Sequence, residues 1–140
     1  MARILLVENN EFVRDVLRSE MEAAGHRVDC VGRRAEAATA LGQAAYDLLV
    51  CDTWLPDGSC HDLVMRAGKS GVGAMVISGD RGELADLAAA PWVTSLRKPF
   101  KLADLRQALA LALDAAHPAA AGMAVADLPG RSPASASPGR

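Results

Sequence analysis

Residues 47–51 read DLLVC, a strand-length run that is apolar nearly throughout. A strand with one wet face alternates between apolar and polar. A run without that alternation belongs in a sheet covered on both faces. Four other segments have strand character: 3–7, 27–31, 72–77 and 92–96. Helical spacing fills the intervals, over 11–24, 34–44, 59–67, 83–90 and 102–116. Val13, Val16, Leu17 and Met21 form the stripe of the first helix, and Leu102, Leu105, Leu109 and Leu113 that of the last. Gly25 stops the first helix, Gly68 and Gly71 break the third, Pro91 ends the fourth, and Pro56-Asp57-Gly58 is a turn. Five strands alternating with five helices give a doubly wound parallel sheet with right-handed crossovers and helices on both faces.

The chain has 140 residues, 51% of them apolar, enough for one core. Residues 1–116 are expected to form the domain. Residues 117–140 turn to Ala, Pro, Gly and Ser and read as a disordered tail. A net charge of −2 gives no footprint for nucleic acid or an anionic membrane. Cys30, Cys51 and Cys60 are odd in number and form no CxxC, which suits reduced thiols in the cytoplasm. The apolar runs are too short for a membrane span or a signal peptide. The turn after the first strand is ENNE, not a glycine-rich dinucleotide loop.

In an open parallel sheet, ligands bind beyond the carboxyl ends of the strands. The first strand delivers Glu8 and Asn9 there, the third Asp52, the fourth Ser78 and Gly79, and the fifth Lys98 and Pro99. Asp52 near Glu8 makes a pair of carboxylates that a hard cation such as Mg²⁺ would join. Asp52 is then a candidate nucleophile toward a phosphoryl group. Lys98 offsets charge on the phosphoryl oxygens, Ser78 donates a hydrogen bond to one, and Gly79 leaves space.

LLVEN, LLVCDTWLPDGS, MVISGD and LRKPF, in this order and spacing, resemble the receiver domain of two-component response regulators over about residues 2–116. The resemblance implies a flavodoxin-like (βα)5 fold with strand order 2-1-3-4-5. It implies phosphoryl transfer to Asp52 from a sensor histidine kinase or a histidine phosphotransfer protein. Glu8, Asn9, Asp52 and the backbone carbonyl of Trp54 would surround Mg²⁺, Ser78 would be the switch hydroxyl and Lys98 the site lysine. The Lys98–Pro99 bond is cis in similar domains. A downstream protein would meet the face built by the fourth helix, fifth strand and fifth helix.

Four positions depart from the pattern. Asn9 replaces a second acid, which predicts weaker Mg²⁺ binding; Glu11 lies in the first helical turn, where an acid is favoured anyway. Trp54, two residues after Asp52, either shields an acyl phosphate or packs over its loop. Ser95 stands where an aromatic switch residue is usual and cannot bury a comparable area, which puts the usual coupling in doubt. The segment 82–91 is rich in small residues and predicts a weak fourth helix. Cys51 and Cys60 are read as core thiols, His26 and His61 as loop or surface histidines, Arg33-Arg34 as a solvated helix start, and Leu111 as exposed.

The expected function is therefore that of a single-domain response regulator, with no output domain and no direct DNA binding. It would signal by protein–protein contact within a phosphorelay, as a cytoplasmic phosphoprotein. The alternative is a receiver-like module that binds its partner without phosphorylation. An enzyme acting on free substrates is disfavoured: Asp52-Thr53-Trp54 lacks a second Asp for acid catalysis. Only self-phosphorylation from a phosphodonor and slow self-dephosphorylation are expected.

Overall fold

A computed structural model of the chain describes residues 1–79, 87 and 89–116. The chain runs β1 (Arg3–Val7), α1 (Glu11–Ala23), β2 (Arg27–Val31), α2 (Arg34–Gln43), β3 (Leu48–Asp52), β4 (Trp54–Leu55), β5 (Gly58–Ser59), α3 (His61–Lys69), β6 (Gly73–Ser78), β7 (Val93–Arg97) and α4 (Leu102–Ala116). Five parallel strands pair in the order β2-β1-β3-β6-β7. This is the flavodoxin-like order the sequence implied, with a small antiparallel β4–β5 hairpin inserted after β3. The hairpin bends over Pro56-Asp57, and Gly58, at φ +133°, takes a conformation that side chains rarely adopt.

Alternation along the inner strands feeds two cores. Leu5, Val7, Leu49, Cys51, Ala74 and Val76 face α2 and α3, packing with Ala37, Leu63, Val64 and Ala67. Ile4, Leu6, Leu48, Val50, Met75 and Ile77 face α1 and α4, packing with Leu17, Met21, Leu105 and Leu109. Cys51 and Cys60 are buried in the first of these cores, as expected of packed thiols.

Three strands end one residue later than their polar side chains predicted. Asp52 pairs with Ile77, and Ser78 with Arg97, as the last rungs of their ladders. Ladder bonds are made by the backbone and are indifferent to a polar side chain. The third helix is also displaced, from 59–67 to His61–Lys69, and Gly68 lies inside it. The indole of Trp92 lies against Gly68, and a Cβ there would collide with the Trp92 ring. Gly68 therefore serves packing, while Gly71, at φ +76°, lies just beyond the helix. Leu102 and Val16, both placed on buried stripes, are exposed; α4 instead buries Leu105, Ala108, Leu109 and Ala112.

The predicted helix 83–90 falls largely outside the described residues; of it, Leu87 is buried in the core against α2 and α3. The predicted tail, 117–140, lies outside them entirely. The start of α2 draws on distant sequence: the Asp57 carboxylate accepts from the backbone N–H of Arg34 at 2.7 Å and of Ala35 at 2.9 Å. Arg34 also reaches Asp62 at 3.1 Å, so the Arg33-Arg34 pair is a helix start held by two acids.

Candidate functional site

The polar cluster after β1 is built into the fold. The Glu8 backbone N–H continues the ladder to the Val31 carbonyl at 3.0 Å, and its side chain is only 3% exposed. Glu8 Oε2 accepts from the Asn10 backbone N–H at 3.0 Å, and Asn10 Oδ1 caps α1 by accepting from Val13 N–H at 3.0 Å. The capping role of Asn10 is legible in sequence, since an amide side chain just before a helix is a common cap. Burial pushes the Glu8 carboxyl above its ordinary value and the charge of Asp52 adds to this, against the opposing pull of backbone N–H bonds and Lys98.

Asp52, the last residue of β3, meets Lys98 from the turn after β7. Lys98 Nζ lies 3.5 Å from Asp52 Oδ2 and 4.0 Å from Glu8 Oε1, so one ammonium bridges both carboxylates. Lys98 is held from behind: its N–H donates to the Ser78 carbonyl at 3.0 Å, and the Lys98–Pro99 bond is cis. Ser78 is buried at the end of β6, and beside it Gly79 has open space around its α-carbon. Thr53 was not singled out in sequence. It is buried, its N–H donates to Asp52 Oδ1 at 3.0 Å, and its hydroxyl donates to the Ile77 carbonyl at 3.2 Å. Only burial distinguishes it, and burial is not visible in the string DTW.

Thus the fold brings Glu8, Asp52, Ser78 and Lys98 to one edge. Two further positions lie in the open. Asn9 is exposed, and its amide oxygen lies toward Gly32 in the β2–α2 turn. Trp54, on β4, is 59% exposed. Glu11 is exposed in the first turn of α1, which fits its bland reading.

Two carboxylates against one ammonium leave the edge short of positive charge. Among the described residues, no group of three or more His, Cys, Asp or Glu side chains could hold a metal ion. Mg²⁺ keeps several of its waters and is often bound through one or two carboxylates. The hard oxygens of Glu8 and Asp52 fit it, with fewer charged donors than a third acid would give. An apolar groove of about 490 Å³ borders Lys98, lined by Phe12, Val13, Val16, Leu17, Pro99 and Phe100. Phe12 is 78% exposed there.

A family model described as the response regulator receiver domain matches residues 4–110. The chain belongs to the response regulator receiver family. This receiver domain is 30% identical over 112 residues to the virulence transcriptional regulatory protein PhoP of Salmonella typhimurium, across 75% of the chain and 49% of PhoP. It thus spans about half the length of the curated relatives it matches most fully. The solved receiver domain of the hybrid histidine kinase CckA is 27% identical, with a TM-score of 0.66, over 79% of this chain and 98% of that one. The response regulator TrrA of Thermotoga maritima, solved in complex with Mg²⁺-BeF, shares the fold at 22% identity and a TM-score of 0.70, over 81% and 100% of the two chains.

Proposed function

We propose that this receiver domain accepts a phosphoryl group on Asp52 from a sensor histidine kinase or a histidine phosphotransfer protein, and signals by protein–protein contact. The observation that carries this reading is the Lys98 ammonium held between Asp52 and Glu8 at the carboxyl edge of the sheet. An Asp52 carboxylate oxygen attacks phosphorus, the bond from phosphorus to the donor breaks, and the donor leaves with the electron pair. Thr53 N–H holds one Asp52 oxygen, which leaves the other directed toward Lys98. Lys98 then offsets charge on the phosphoryl oxygens, and the Ser78 hydroxyl donates to one of them. Bound Mg²⁺ would supply further charge neutralisation; Glu8, Asp52, the Asn9 amide and the Trp54 carbonyl are the groups that would hold it, weakly because Asn9 is neutral. The Mg²⁺-BeF complex of TrrA supports an Mg²⁺ role here.

The groove beside Lys98 suits a protein donor, since its apolar lining and exposed Phe12 offer contact area next to the acceptor. Signal output through the face that includes β7 and α4 is consistent with exposed Leu102 and Leu111. The acidic balance argues against DNA binding by this domain itself. Three free cysteines favour a cytoplasmic setting, and no helix among the described residues is long and apolar enough to cross a membrane. No turnover of free metabolites is expected beyond self-phosphorylation and slow self-dephosphorylation.

Intact mass after incubation with acetyl phosphate, with and without Mg²⁺, tests the reading. A single Mg²⁺-dependent phosphoryl adduct, absent in Asp52→Asn, is the expected result. Equal adduct in the variant would refute the site. A second reading, a phosphorylation-independent binding module, is favoured by exposed Asn9 and by exposed Ser95 in place of an aromatic switch. It requires partner affinity to be unchanged by Asp52→Ala.

A further inference from the structure

Ser95 is exposed on β7, so the strand has no aromatic at the position where this family usually carries one. Its neighbour three residues earlier does the opposite. Trp92, at the entry to β7, is half-buried and closes onto α3. Its indole Nε1–H donates to the Val64 carbonyl at 3.0 Å, and its ring takes the space over Gly68 that any other residue would fill.

The other end of α3 adjoins the acceptor. Asp52 leads directly into Thr53, whose carbonyl accepts from Cys60 N–H at 3.0 Å, and Cys60 is the N-cap of α3. Cys60 makes no side-chain cap bond. The cap duty falls to Ser59 Oγ, which accepts from His61 N–H at 3.1 Å. A helix N-terminus responds to nearby anionic charge, and a phosphoryl group adds about −1.5 to −2 charge at Asp52. A helix of nine residues is about 13 Å long, and α3 spans that distance between the acceptor loop and Trp92. Its first turn joins the acceptor loop and its last turn carries the indole.

We propose that α3 transmits the state of Asp52 to Trp92, so that phosphorylation changes the seating of the indole on Gly68. The inference rests on Asp52 being the phosphoacceptor. It assigns to α3 and Trp92 the reporting role that Ser95 is too small to play. Trp92 acts here as a positioning residue, remote from the reacting atoms.

The two tryptophans permit a direct test, because 5-fluorotryptophan incorporated at both gives two ¹⁹F signals, and Trp92→Phe removes and so assigns the signal of position 92. That signal is followed during acetyl phosphate treatment with Mg²⁺, and intact mass is read on the same samples. The expected result is a shift of the Trp92 signal that rises with the adduct and reverses as the adduct hydrolyses. Gly68→Ala should move the starting signal and abolish the response, since its methyl displaces the ring. Adduct formation with an unmoved Trp92 signal would overturn the inference and leave Asp52 phosphorylation standing. Absence of any adduct would overturn both.

Discussion

Two clusters of charge in this domain use the same ingredients to opposite ends. At the start of β1, Asp29 accepts from Arg3 at 3.1 Å and from the Tyr46 hydroxyl at 2.7 Å, while the Arg3 guanidinium lies 5.0 Å from the Tyr46 ring centre. The Tyr46 hydrogen bond, with Arg3 behind it, holds the Asp29 carboxyl below its ordinary value. At the carboxyl edge, Glu8 and Asp52 share one ammonium, and burial holds Glu8 above its ordinary value. The first cluster is satisfied and ties strands together. The second is under-compensated, which suits the cation and phosphoryl group proposed for it. Carboxylates left short of partners mark the working edge, and those with partners mark the scaffold.

The strongest test of this contrast is Asp52→Asn. It should eliminate the phosphoryl adduct altogether, read by intact mass, while leaving the thermal midpoint unchanged or higher, because a repulsion with Glu8 is removed. A clear loss of stability would mean that Asp52 belongs with the scaffold. Asn9→Asp should tighten Mg²⁺ by roughly tenfold, about 1.4 kcal/mol, measured by titration calorimetry. An unchanged affinity would show that position 9 lies outside the ion's shell.

Denaturant unfolding across pH separates the two clusters by sign. The Glu8 contribution is fully present below its unfolded value, about 4.3, and is lost as pH rises through its raised folded value. The Asp29 contribution is present above its unfolded value, about 3.9, and is lost as pH falls through its lowered folded value. Glu8→Gln should flatten the first change and Asp29→Asn the second. The reverse assignment would break the comparison. Smaller effects come from single bonds. Tyr46→Phe should cost about 1 kcal/mol by removing the hydroxyl from Asp29. Asn10→Ala should cost a similar ~1 kcal/mol through the lost α1 cap, with Mg²⁺ affinity little changed.

Much of the fold was legible because the signals are local. Apolar runs such as DLLVC and the stripe around Leu17 and Met21 depend only on residues near in sequence, and so does the capping amide of Asn10. The candidate site was legible for a related reason: parallel strands all present their carboxyl ends to one edge, so Glu8, Asp52, Ser78 and Lys98 had to gather once the strands were recognised. Strand ends were misjudged where a polar residue of the candidate site occupies the last backbone rung, as at Asp52 and Ser78.

What sequence alone determined, then, was the parallel α/β plan and the chemistry of its edge, because periodicity and strand order are properties of the chain itself. Tertiary structure decided the rest. It turned Gly68 from a helix breaker into the seat of Trp92, and placed the Asp57 carboxylate on a helix that begins 23 residues earlier. It also buried Thr53 behind Asp52 and left Trp54 in solvent. Each of these depends on which distant segments share space, and that is settled only when the two cores close around the sheet.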